Sequence, residues 1–194
     1  MIKKVKLFIN LIRIWPHLIV LIFHPNRTLI KQDVWAWKKA IGFGNSDYYA
    51  FLLLLANYPE FRNVFYARIG LIGFILNFIC PKMNTLFITT QDIKGGLFIQ
   101  HGFATIISAA SIGQNCWINQ QVTIGYSNKT DCPTIGNFVH IYAGAKVIGG
   151  IKIGDHSVIG ANCVVVKDVP SNCVVVGNPA RIIKKDGLRV DITL

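Results

Sequence analysis

Acidic side chains are scarce in this chain: 9 Asp and Glu stand against 20 Lys and Arg, and Glu60 is the only glutamate. The resulting formal charge of +11 implies an anionic partner, and nucleic acid, a membrane surface and a phosphate-rich cofactor all carry the right sign. No nucleic-acid motif accompanies the charge, so nucleic-acid binding is set aside. Charged residues of either sign make up only 15% of the chain and apolar ones 52%, which excludes a disordered segment and leaves enough material for a sizeable core. At 194 residues there is room for one ordinary domain, or for one domain and a small appendage.

The chain also lacks cysteine pairs. Cys80, Cys116, Cys132, Cys163 and Cys173 are odd in number, irregularly spaced and without a CxxC. This excludes a zinc framework or a disulfide scaffold and points to a reducing compartment. Two glycosylation tripeptides, at Asn26 and Asn128, would never be modified there. An uninterrupted apolar run is missing too. Asn10, Arg13, Pro16 and His17 break up residues 5–23, and no small-residue cleavage site follows. A spanning helix needs about 20 predominantly apolar residues, so an amphipathic or interfacial helix is expected instead.

Residues 1–85 read as helical. Asn26 or Thr28 can cap a helix through Val34, Trp35, Trp37 and Ile41 that ends at Gly42 and Gly44. Ser46 and Asp47 sit where an N-cap and a first turn belong, ahead of Tyr48–Asn57. Tyr58-Pro59 stops that helix, and another is expected from Glu60 to about Ile79. His17 and His24 are read as surface or interface residues.

From about residue 86 the pattern changes. Ile106, Ile112, Ile118 and Ile124 recur every six residues; after a gap of eleven, Ile135, Ile141, Val147, Ile153, Ile159 and Val165 do so again. Neither a 3.6-residue helix nor a flat strand of period 2 produces this. Small residues stand two places before most of these aliphatics, and glycine recurs one place after, as at Gly113, Gly125, Gly136, Gly154 and Gly160. A triangular coil needs this arrangement, with an aliphatic pointing inward on each side and tight corners between. Four to five coils are expected over residues 86–183, with residues 184–194 as a C-terminal tail. The gap is six plus five, so five extra residues leave the prism within Tyr126–Pro133 as an external loop.

The stretches Gly96-Leu-Phe-Ile-Gln-His101-Gly, Val122-Thr-Ile-Gly125, Pro133-Thr-Ile-Gly136, Ala143-Gly-Ala-Lys146, Ile159-Gly-Ala161 and Val176-Gly-Asn-Pro-Ala-Arg181 together resemble the hexapeptide-repeat acetyltransferases, in their serine acetyltransferase-like branch. The resemblance covers about half the chain. It implies a mainly β fold, a left-handed parallel β-helix preceded by a small α-helical region. It also implies acetyl-CoA as donor and a homotrimer with active sites between subunits. Within the branch the chain looks closest to enzymes that acetylate capsule, colanic acid or lipopolysaccharide sugars. Three departures separate it from serine acetyltransferases proper: Gln100 replaces the aspartate before the catalytic histidine, Cys132 replaces a second histidine in the loop, and the helical region is shorter. Gln100 is not an ionisable partner for His101, so something else must orient that ring.

Moving an acetyl group from a thioester to a hydroxyl requires a base, an oxyanion donor and a grip on the donor. Histidine, with an ordinary pKa of about 6.5, suits the first task, and the resemblance assigns it to His101. Gly125 is a candidate oxyanion donor, and Gln100, Gln120 and Gln121 are candidates to bind the acceptor. For acetyl-CoA, the small Ala143, Ala145 and Ala161 with Tyr126 would flank the pantetheine arm. Lys146, Lys167, Arg181, Lys184 and Lys185 would meet its phosphates. His140 and His156 fall in other columns of the repeat than His101, so no metal is expected. The activity expected first is O-acetylation of a sugar hydroxyl in surface-polysaccharide biosynthesis. Serine O-acetylation, the acetyl step of cysteine biosynthesis, is the alternative, and a catalytically silent trimeric scaffold is a third reading. The expected location is cytoplasmic. Basic and aromatic residues interleaved within residues 1–40 suit a peripheral contact with the anionic inner face of the membrane, and suit equally an ordinary helical cap or a trimer contact.

Overall fold

The computed structural model describes residues 2–44 and 46–194, with residues 2–12 described by backbone alone. Five helices come first: α1 (Ile2–Phe23), α2 (Arg27–Ile41), α3 (Asp47–Asn57), α4 (Pro59–Ile69) and α5 (Leu71–Ile79). The local signals act as expected at two ends. Gly42 closes α2 in the left-handed region at φ 80°, and Ser46 Oγ caps α3 by accepting from the Tyr49 N–H at 3.4 Å. The single helix expected from Glu60 to Ile79 is instead two. Gly70, at φ 56° and ψ −123°, breaks the ladder and lets α5 fold back on α4. Gly73 then lies so close to α4 that a Cβ there would sit 2.8 Å from the Tyr66 Cβ. The side chains of Lys3, Lys4, Lys6 and Phe8 lie outside the described residues. Among the described residues no helix is long and apolar enough to cross a membrane.

From Leu86 the chain winds into a left-handed parallel β-solenoid of about 5 turns. Its three faces carry one inward ladder each. Ile88, Ile107, Ile124, Val147 and Val165 pair in succession on the first face. Ile93, Ile112, Ile135, Ile153 and Val169 do so on the second. Ile99, Ile118, Ile141, Ile159 and Val175 complete the third. The hexad reading therefore identifies the core, with one slip. Ile106 is exposed and Ile107 takes its inward place, because Thr105 is buried and ties the strand down through hydrogen bonds from its Oγ1 to the Phe103 and Asn119 carbonyls. The recurrent glycines do a different job from the one expected. Gly113 and Gly136 are not in the left-handed region; they stand where a Cβ would collide with the backbone of the next coil. Left-handed corners are taken mostly by other residues, among them Asn115, Asn162 and Asn172. Residues 184–194, expected as a tail, belong largely to a hairpin (Arg181–Lys185 and Leu188–Thr193) that extends the third face antiparallel.

The helices are fastened to the first coil by polar groups that the sequence does not announce. Asp33 and Arg68, both buried, pair between α2 and α4 at 2.9 and 3.1 Å. Asp33 also accepts from the Gly96 and Leu97 N–H groups, and Arg68 donates to the Ile93 and Lys94 carbonyls. Trp37 Nε1 donates to the Leu97 carbonyl at 2.9 Å, and Asn63 to those of Met83 and Leu86.

His17, expected at a surface, is fully buried, 3.0 Å from the Tyr66 hydroxyl and 3.2 Å from the Ile14 carbonyl. Burial pulls its pKa down to about 4, and the cationic Arg62 and Arg13 act in the same direction. Its folded pKa thus lies below the unfolded value of about 6.5, so the unfolded chain takes up the proton first. Stability is full above about pH 6.5 and falls as the pH drops toward 4, by up to about 3 kcal/mol. Urea unfolding of the protein and of His17→Gln across that window should show the variant losing less stability on acidification; parallel pH curves would contradict this.

Candidate active site

His101 follows the strand Phe98–Gln100 and turns the corner of the first complete coil at φ 66°, a conformation that costs a non-glycine residue energy. Successive corners stack above it. The Gln121 N–H donates to the Phe103 carbonyl at 2.9 Å, Gly144 to Gln120 at 3.1 Å, and Asn162 to Ala143 at 2.9 Å. One edge of the prism therefore carries His101, then Gln120 and Gln121, then Ala143, then Ala161. Coils repeat every ~4.8 Å, so Ala161 lies about 14 Å along the edge from His101. Ala143 and Ala161 are small and at least partly exposed, which leaves a shallow strip running away from the histidine. Ala145, by contrast, is fully buried and points into the prism, so its expected contact with a cofactor does not hold. Lys146 belongs to this region but is tied down, its Nζ donating to the Gln121 carbonyl at 2.7 Å and to Thr123 Oγ1 at 3.1 Å.

The remaining candidates lie elsewhere. Gly125 is buried on the next edge, where its carbonyl accepts from Gly149. The loop that follows it is held together locally. Asp131 accepts from Ser127 Oγ and the Asn128 N–H, and Asn128 Oδ1 accepts from the Thr130 and Asp131 N–H groups. The neighbouring Cys132 thiol pushes the Tyr126 hydroxyl pKa upward. Lys167 is exposed on this same edge, beside Asp168, which caps the Lys152 N–H. Arg181 is paired with Asp191, while Lys184 and Lys185 are exposed on the terminal hairpin. Within one chain, then, His101 with its alanine strip and Gly125 with Tyr126 occupy two different edges and do not converge.

Around His101 the neighbours differ from those expected. Gln100 is already engaged: Trp117 Nε1 donates to Asn119 Oδ1 at 2.8 Å, and Asn119 Nδ2 donates to Gln100 Oε1 at 3.4 Å. Gln120 Oε1, by contrast, is buried and without a hydrogen-bond partner, an acceptor left open on the histidine's own edge. A residue that the sequence reading missed completes the surroundings. Glu60, in the first turn of α4, lines a cleft of about 170 Å³ together with His101, Gln100, Trp117 and Tyr58. Its being the sole glutamate was visible; its position was not, because 41 residues separate it from His101. His140 stacks on Trp117 and His156 on Phe138, and no group of three metal-binding side chains occurs among the described residues.

The architecture is a left-handed β-helix of about 5 turns behind five N-terminal helices, with His101 at a corner of the first complete coil. Residues 132–167 match the family described as bacterial transferase hexapeptide (six repeats). The particular similarity is to serine acetyltransferases. That of Synechococcus elongatus is 48% identical over 100 residues, half of this chain and 41% of that protein, so the chain spans less than half the length of this relative. The serine acetyltransferase of Neisseria gonorrhoeae, solved in complex with serine, superimposes with a TM-score of 0.67 at 25% identity, covering 85% of this chain and 72% of that one. The Brucella abortus enzyme in complex with coenzyme A gives 0.67 at 26% identity over 87% and 72%. These relatives overturn the expectation of an enzyme of surface-polysaccharide biosynthesis: the relatives named here, in repeat sequence and in fold, are serine acetyltransferases.

Proposed function

We propose that this chain is an acetyl-CoA-dependent serine O-acetyltransferase with His101 as its general base. The observation that carries this reading is the likeness to serine acetyltransferases in both repeat sequence and fold, one of them holding serine and another coenzyme A. The strip of Ala143 and Ala161 fits a narrow flexible arm lying along the prism edge toward His101, and the excess of basic residues fits a polyphosphate. Acetyl-CoA supplies an activated acetyl thioester, whose acyl group passes to the serine hydroxyl with release of the thiol. His101 takes the hydroxyl proton as the oxygen attacks, then returns it to the departing sulfur, so the ring ends as it began. Gln120, with an unsatisfied polar group on the same edge, orients the acceptor.

Because His101 and the Tyr126–Pro133 loop lie on different prism edges, we place the complete site between subunits of a homotrimer, one subunit giving the histidine edge and its neighbour the loop. We also place the helical cap against an anionic bilayer. The apolar residues suited to this are Leu71, Phe74, Ile75 and Phe78 of α5, Trp15 and Phe23 of α1 and Trp35 of α2, all exposed, whereas Trp37 of α2 is buried. Together with the net positive charge they suit an anionic interface.

Replacing His101 by Ala is expected to lower serine-dependent turnover by roughly 10²–10⁴-fold with acetyl-CoA affinity retained; turnover near that of the parent would remove His101 from the mechanism. Light scattering should give a trimer or a multiple of three, and an active monomer would contradict the shared site. Sedimentation with vesicles containing anionic phospholipid should capture the protein at low salt and release it at high salt. Phe74→Ser with Phe78→Ser should weaken capture, and failure of the parent protein to bind would return the α5 face to a contact between copies.

A further inference from the structure

We propose that Glu60 is the positioning residue for His101, supplying from α4 the carboxylate that residue 100 lacks; this rests on the acetyltransferase reading above. An imidazole acting as base needs its second nitrogen held, so that the right tautomer faces the substrate and the imidazolium formed in the reaction is stabilised. Four observations converge on Glu60. It lines the same cleft as His101. The residue is only 9% exposed, yet it takes part in none of the ion pairs among the described residues. Arg62, the nearest alternative partner on α4, is committed to the carbonyls of Leu55, Ala56 and Pro81. Finally, the backbone beside His101 is shaped to admit Glu60. Gly102 lies in the left-handed region at φ 59°, and a Cβ there would press to 3.1 Å from the Glu60 Cβ.

The electrostatics agree. Burial pushes the Glu60 carboxyl above its ordinary pKa range, opposed by a hydrogen bond with its own backbone N–H and by attraction toward His101 and Arg62. Of the other polar groups lining the cleft, Tyr58 and Gln100 are neutral, Gln100 Oε1 accepts from Asn119, and Trp117 donates to Asn119. Glu60 and His101 form no direct ion pair in the free protein. Hydrogen bonds of this kind commonly tighten only when the substrates are in place.

The test compares the full-length protein with Glu60→Gln and Glu60→Asp. Glu60→Gln keeps the shape and should lower kcat by on the order of 10²-fold while the KM for acetyl-CoA stays unchanged. Glu60→Asp should recover part of that loss. Independently of any acetyl transfer, ¹⁵N NMR of the His101 ring, identified as the signal missing in His101→Ala, reports which nitrogen carries the proton. With serine and coenzyme A added, the parent should show one tautomer and Glu60→Gln a mixture. Ring shifts identical in the two proteins would overturn the proposal, even alongside a fall in kcat, since Glu60 would then be merely structural. A parent that acetylates no serine refutes the activity alone, and the ring shifts, read in the same samples, still decide the role of Glu60.

Discussion

Asp33 and Arg68 hold the molecule in register. Each is buried, and each satisfies the other while also binding backbone of the Ile93–Leu97 segment. Two helices and the start of the solenoid therefore meet at one ion pair whose remaining hydrogen-bonding capacity is used by main-chain groups. Removing one member of such a pair leaves an uncompensated buried charge, which typically costs about 3–5 kcal/mol. The attachment fixes more than stability. With Arg68 anchored to the first coil, α4 is held along it, and the first turn of α4 brings Glu60 against Gly102 and into the cleft of His101.

The solenoid imposes a second constraint. Each coil bonds to the next through its backbone, so every corner stacks on the one before and a residue's prism edge is fixed once its place in the repeat is known. His101 and the alanine strip are thereby set on one edge and the Tyr126–Pro133 loop on another. No local rearrangement brings them together without breaking the ladder. The proposed sharing of the site between copies would resolve that geometry and would give the self-bonded excursion loop a reason to project from the prism.

Much of the fold was legible beforehand. Ile112, Ile118 and Ile124, then Ile135 to Val165, lie where the six-residue spacing placed them, because in a solenoid inward orientation is a local property repeated by each side. Reading failed where a side chain intervened. Thr105 displaces the register so that Ile107, not Ile106, enters the core, and Gly70 divides a helix whose apolar composition alone looked continuous. His17 looked like a surface residue because its side-chain partner, Tyr66, lies 49 residues away. Gln100 and Cys132 depart from the serine acetyltransferase pattern and so favoured a sugar acceptor, an expectation that the likeness to the named serine acetyltransferases overturns.

By itself, then, the sequence determined the period, the inward ladders, the external loop and the candidacy of His101, since each depends on residues six apart or on a short contiguous motif. Only the tertiary structure decided how α2 and α4 dock, which edges the site residues occupy, and which acid lies near the histidine. Those are contacts between segments tens of residues apart, specified by buried polar groups such as Asp33, Arg68 and Glu60. A one-dimensional pattern of hydropathy reads such groups simply as charges, and burial with a matched partner is what gives them a structural role.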